Sequence, residues 1–141
     1  MTKFLISASL LALPASAWAE DDIIVTATGF ETAREDSGHA ISLITADDLL
    51  RAQAATINDV LVTIPGVSVA QRGAVGTQSS VFIRGGNSSQ TLVMIDGVRV
   101  NDPASPNGAF DFGALTSGTI DRVEVLRGAN SIIWGSQAIG G

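Results

Sequence analysis

The sequence predicts an α+β fold, a small mixed β-sheet with flanking short helices and long loops. Three observations carry this. The patterned segments run in the order strand, two helices, then several strands. Both helices open on a threonine with an aspartate three residues on, a spacing that satisfies the first backbone amides. The stretch 101–118 has loop composition throughout, rich in Pro, Gly, Ser and Asn around Phe110 and Phe112.

Ala40 to Ile44 is a strand candidate. Thr45, with Asp48, caps a helix to about Ala52. Thr56, with Asp59, starts a second helix, in which Ile57, Val60, Leu61 and Ile64 recur as one apolar face. Pro65-Gly66 ends it, because proline cannot continue the hydrogen-bond ladder and glycine takes the turn. Val67-Ser68-Val69 begins a strand, and Gln71 to Thr77 is a glycine-containing loop. Val81-Phe82-Ile83-Arg84 is a strand closed by Gly85-Gly86, and Asn87 to Gln90 is a polar loop. Leu92–Ile95 and Val98–Val100 flank Asp96-Gly97, whose two residues take positive φ cheaply and so signal a tight hairpin. Ile120 to Arg127 is a further strand, with Val123 and Val125 on one face and Arg122 and Glu124 on the other. Ser131 to Gln137 forms a short helical turn or bend.

Composition excludes several chemistries. The 141 residues hold 8 basic and 14 acidic side chains, 15 glycines, no cysteine and no tyrosine. Lys3 is the only lysine, so the remainder has no Gly-Lys pair for a phosphate loop. The net charge of −6 argues against nucleic-acid partners, which require a positive face. Without cysteine there is no disulfide scaffold, thiolate zinc site or thiol nucleophile. His39 is the only histidine, and no nucleophile–base pair or metal cluster can be assembled around it. No enzyme activity, resident cofactor or metal is therefore expected.

Residues 1–19 read as a secretory signal peptide. Lys3 gives a positive start, Phe4 to Leu13 an apolar run broken by Pro14, and Ala17-Trp18-Ala19 a small-x-small cleavage site. The apolar run is too short to span a bilayer as a helix, which takes about 20 residues. Residues 20–38 are acidic and loosely patterned, a flexible leader interrupted by the extended-favouring patch Ile23-Ile24-Val25-Thr26-Ala27. Such a patch can add as a strand to another protein's sheet edge, or dock on its own domain. Residues 39–141 form the folded domain.

The motifs of this domain closely resemble the N-terminal plug of TonB-dependent outer-membrane receptors, with wording nearest the cobalamin receptors. Asp22-Ile23-Ile24-Val25-Thr26-Ala27 resembles the energy-coupling (TonB) box. Ile57–Leu61 followed by Ile64-Pro65-Gly66-Val67 resembles the family's helix and turn. Phe82–Gly85, Val93–Val98 and Ile120–Gly128 resemble its three strands, and Trp134-Gly135-Ser136 with Ala138–Gly141 its end. Two positions depart: Ala129 stands where proline is usual, and Trp134 where tyrosine is usual.

The resemblance implies a plug that closes a barrel of the outer membrane and gates uptake of cobalamin or a similar scarce metal chelate, with a ferric siderophore as the alternative ligand. It implies the periplasmic protein TonB as partner, through Asp22, Ile23, Ile24, Val25, Thr26 and Ala27. It implies contact with the inner barrel wall through Arg84, Arg127 and Glu124, the guanidinium fork suiting a carboxylate. It implies ligand-binding apical loops, represented by Gln71, Gln78, Asn87, Ser88, Ser89, Gln90, Asn101 and Asn107. A barrel needs at least eight alternating strands and aromatic girdles. Beyond Gly118 only one clear strand follows, so the chain reads as truncated before its barrel. A stand-alone exported ligand-binding module is the other reading.

Overall fold

The computed structural model describes residues 23–24, 29, 32–33, 37–105 and 107–141. Residues 1–19 and most of residues 20–38 lie outside these residues. Within the leader, β1 (Ile23–Ile24) pairs with β2 (Thr32–Ala33), with Ile23 opposite Ala33 and Ile24 opposite Thr32.

The folded domain begins with β3 (Ala40–Thr45), followed by α1 (Ala46–Arg51) and α2 (Ile57–Leu61). Both caps form as the spacing predicts. Thr45 N–H and Oγ1 donate to Asp48 Oδ2 at 3.0 and 2.8 Å, and Asp48 N–H returns a bond to Thr45 Oγ1. Thr56 N–H and Oγ1 donate to Asp59 Oδ2 at 2.9 and 3.0 Å. The backbone bonds from Thr45 and Thr56, then their hydroxyl bonds, hold the Asp48 and Asp59 carboxyls below their ordinary range. A carboxylate lowered by folding stabilises fully above its unfolded value, and that contribution is lost as pH falls through the folded value.

The predicted apolar face of α2 is the centre of the core. Ile57, Val60, Leu61 and Ile64 are all buried. The helix ends at Leu61, before the predicted stop at Pro65-Gly66; the chain then turns at Gly66, whose φ of +80° suits glycine, and the Gly66 carbonyl accepts from Arg84 N–H at 2.7 Å. This bond closes the base of the hairpin β4 (Val67–Gln71) and β5 (Ser79–Ile83), in which Val67 faces Ile83 and Val69 faces Val81. Val67, Val81 and Ile83 point at α2 and are buried with it. Burying each such side chain contributes about 1.5–3 kcal/mol, which is what holds ladders too short to be stable alone.

The chain then makes a 3-10 turn at Ser88–Gln90 and the small hairpin β6 (Met94–Ile95) and β7 (Val98–Arg99). Asp96 and Gly97 both have positive φ, +51° and +77°, as a two-residue hairpin turn requires. After the long loop, β8 (Arg122–Arg127) returns antiparallel to β3 in unbroken register, from Thr45 opposite Arg122 to Ala40 opposite Arg127. The chain finishes with α3 (Ser131–Trp134) and a 3-10 turn at Ser136–Ala138.

The α+β class holds, as short helices among small sheets. A mixed sheet was the expectation; the described strands instead form four separate antiparallel pairs. Most are local hairpins, and the long return of β8 to β3 also runs antiparallel. The β8 face carrying Arg122 and Glu124 is partly covered. On β8 the side of Val123 and Val125 does face the core, but Glu124 on the other side is only 8% exposed, and Leu126 beside it is buried against Ile41. No helix among the described residues is long and apolar enough to cross a membrane.

Candidate functional site

Two ends of the β4–β5 hairpin collect the residues of interest. At one end is the loop from Arg72 to Gln78. It closes on itself: Arg72 N–H donates to Gln78 O, Gln71 Nε2 donates to Ala74 O at 2.8 Å, and Thr77 Oγ1 donates to the same carbonyl. Gln71, Arg72 and Gln78 are exposed there.

The loop 101–118 reaches the same end. Asp111 Oδ1 accepts from Ser79 N–H at 2.8 Å and from Gly113 N–H at 2.9 Å. Phe112 N–H donates to Ser79 O, and its ring enters the core with Phe110 edge-on against it at 5.0 Å. A side chain at Gly113 would collide with the Thr77 carbonyl, so glycine is what allows the two loops to touch. Further back, Asn101 fixes the start of the loop. Its Nδ2 donates to Thr91 O and Gly108 O, and its Oδ1 accepts from Val93 N–H. The Asn101 amide is thus engaged with backbone on both atoms. Asn107 is exposed.

The third predicted ligand loop, 85–90, leaves the opposite end of β5 from the 72–78 loop. Asn87 is exposed, and Ser88, Ser89 and Gln90 are half-buried. Gln90 Oε1 accepts from Asn87 N–H, and Gln90 O accepts from Gly140 N–H. The structure therefore brings Gln71 and Gln78 together with the Asp111 end of the long loop, and leaves 87–90 at the far end of the strand.

Both predicted arginines sit at that far end. Arg84 has φ of +51°, an uncommon value for a side chain with a Cβ, held by its bond to Gly66 O. Its Nη1 lies where a Cβ on Gly128 would stand at 3.1 Å, so the glycine leaves room for the guanidinium. Arg127 Nη1 donates to Pro65 O at 2.9 Å, while its buried Nε has no partner among the described residues. Beside Arg84 a cleft of about 240 Å³ is lined by Ile83, Arg84, Gln90, Ala129, Ile139 and three glycines. Glu124, the third residue of this predicted set, pairs with Arg122 at 3.0 Å.

Of the predicted coupling box, Ile23 and Ile24 are described, extended and paired with Thr32 and Ala33. Asp22, Val25, Thr26 and Ala27 lie outside the described residues. No group of three metal-ligating His, Asp or Glu side chains stands together among the described residues. Sequence reasoning missed Asp111, whose only local signal is its place between two phenylalanines, and Arg99, which donates to Trp134 O at 2.7 Å.

Comparison with known proteins fits this architecture. Residues 33–141 match the family model of the TonB-dependent receptor plug domain. Among solved structures, the ferric enterobactin receptor of Pseudomonas aeruginosa in complex with enterobactin aligns over 73% of this chain at 27% identity and TM-score 0.55. The siderophore receptor PirA of Acinetobacter baumannii aligns over 72% at 30% identity and TM-score 0.55. The pyoverdine-bound FpvA of P. aeruginosa, at 22% identity over 84% of the chain and TM-score 0.58, supports the fold alone. The match covers only 16% of the enterobactin receptor and of PirA and 15% of FpvA. With the family model spanning residues 33–141, most of the chain, the chain belongs to the TonB-dependent receptor plug domain family.

Proposed function

We propose that this plug gates an outer-membrane active transporter, exported by its signal peptide, that takes up a scarce metal chelate with energy delivered through TonB. The family match across residues 33–141 carries this reading. In it, the barrel surrounds the plug, and Arg84 and Arg127 meet carboxylates of its inner wall. A guanidinium suits that task because two parallel N–H bonds fix a carboxylate in the plane. The buried Arg127 Nε, without a partner among the described residues, supports a partner from outside them. Glu124 belongs to this contact more weakly, since Arg122 already neutralises it.

The leader segment Asp22–Ala27 is the TonB-binding strand. Strand addition is made by backbone hydrogen bonds, which suits a proline-free extended segment. The ligand face is the end where the 72–78 loop meets Asp111, with Gln71 and Gln78 exposed there. Residues 87–90 leave the opposite end of β5 and stand apart from that face, and Asn101 has both amide atoms bonded to backbone.

A ferric siderophore is the ligand class favoured here. Two receptors of similar sequence take siderophores by name, and Arg72 places a cation at the exposed loop for an anionic chelate. Cobalamin is the second reading, supported by the amide-rich loops. Titration of the complete receptor with ferric enterobactin and with cobalamin separates them. Saturable binding of the ferric chelate, weakened by Arg72→Ala, is expected; binding of cobalamin alone would reverse the assignment. In the same receptor Ile24→Pro should abolish uptake while leaving binding intact, and unchanged uptake would refute the coupling role of the leader.

A further inference from the structure

We propose that the Trp134 indole is the seat on which the leader turn at Gly29 rests, and that Arg99 holds this seat in place. Gly29 lies on the chain between the paired segments β1 and β2 and has φ of +75°. A Cβ built there would stand 3.5 Å from Trp134 Cζ2 and 3.8 Å from Cη2, ordinary van der Waals contact. The Gly29 backbone therefore lies beside the ring.

The ring stands on an unusual support. α3 has four residues, too few for a helix to hold itself. Its Ile132 is 99% exposed and Ile133 49%, so the helix is not anchored by its apolar side chains. It is held by polar bonds instead. Asn130 N–H donates to Ala138 O at 2.8 Å across the turn. Arg99 Nη2, from β7, donates to the Trp134 carbonyl at 2.7 Å, and Arg99 Nη1 reaches Gln137 Oε1 at 3.5 Å. A cation at these C-terminal carbonyls is favourable in charge as well as in geometry. Gln137 Nε2 in turn lies against Gly108 of the long loop. Three segments distant in sequence, the leader turn, the β6–β7 hairpin and the long loop, thus converge on residues 134–137.

The consequence is a positioning role. Where the indole stands is set by Arg99 and the long loop, and where the leader stands is set by the indole. A shift of the loop that moves Gln137 or Arg99 loosens the leader's seat. The link to transport rests on the reading under Proposed function; the seat itself does not.

The test uses the complete receptor without ligand or TonB. Arg34 is the only arginine or lysine between positions 20 and 50, so trypsin cleavage there reports how often the leader is free. Trp134→Ala should raise the rate of cleavage at Arg34 by about tenfold, since cleavage follows the open population when reclosing is fast. Trp134→Phe, which keeps an aromatic plate, should stay within about twofold, and Arg99→Gln should fall between them. Equal rates in wild type and Trp134→Ala would overturn the proposal. Should Trp134→Ala fail to fold, Arg99→Gln decides alone: faster cleavage supports the seat and an unchanged rate refutes it. Absence of ligand binding would count against the transport reading and leave these rates as they are.

Discussion

The two loops that meet at the tip of the β4–β5 hairpin are ordered in opposite ways. The 72–78 loop is held by its own residues. Its bonds span at most six positions, all converge on Ala74 or Gln78 carbonyls, and its Val75 is 70% exposed. The 101–118 loop is held by the rest of the molecule. Asp111 ties it to Ser79, Phe112 drops into the core, Ser117 Oγ bonds Ala54 O, and Leu115 O accepts from Ile57 N–H at 3.2 Å. A long loop pays much conformational entropy for order and recovers it only through contacts with the scaffold. A short hairpin loop recovers it locally. In the transport reading, a ligand touching the first loop meets an independent unit, whereas one touching the second pulls on the plug.

Asp111 is where that contrast can be broken most severely. Asp111→Ala strands the Ser79 amide, on a residue with 0% exposure, and the buried Gly113 amide at once. Bonds to a charged acceptor are worth about 1.5–3 kcal/mol each, so local opening should become easier by about 3 kcal/mol. Hydrogen exchange at Ser79 in the complete receptor should then accelerate by roughly a hundredfold or more. Little change would mean the long loop is anchored elsewhere.

Asn101 gives the next effect. Asn101→Ala leaves Val93 N–H without its 2.9 Å acceptor and frees the Thr91 and Gly108 carbonyls. The site is half-buried, so water replaces part of the loss. The expected cost is about 1.5 kcal/mol, read as roughly tenfold faster exchange at Val93. Ligand affinity would fall with it, and that fall alone would not make Asn101 a ligand contact. Exchange at Val93 separates support from contact.

The same contrast explains what could be read in the sequence. Features built within a few residues were legible. The Thr45/Asp48 and Thr56/Asp59 caps, the apolar face from Ile57 to Ile64 and the Asp96-Gly97 turn all follow from local spacing. What joins distant segments was not. Nothing in Ala40–Thr45 says that its partner is Arg122–Arg127, and the alternation in β8 could not show that the Glu124 side would be covered. The site follows the rule. Arg84 and Arg127 were legible as strand ends before glycine, but the packing of Arg84 against Gly66 and Gly128 and the bond from Arg127 to Pro65 O are products of the fold. Asp111 and Trp134 gain their roles wholly from remote backbone, at Ser79 and Gly29.

The smallest effect tests the self-contained loop. Thr77→Val removes the Oγ1 bond to Ala74 O while keeping a β-branched side chain of nearly the same shape. The Thr77 amide still donates to Ala74 O at 3.1 Å, and the Thr77 carbonyl still faces Gly113. The lost bond is exposed, so solvent takes its place, and the cost should stay within about 0.5 kcal/mol. Exchange at Thr77 should rise by no more than about threefold, and exchange at Ser79, governed by Asp111, should not move. If Thr77→Val instead loosened Ser79, the two loops would be one cooperative unit, and a ligand bound to the first would act on the plug as directly as one bound to the second.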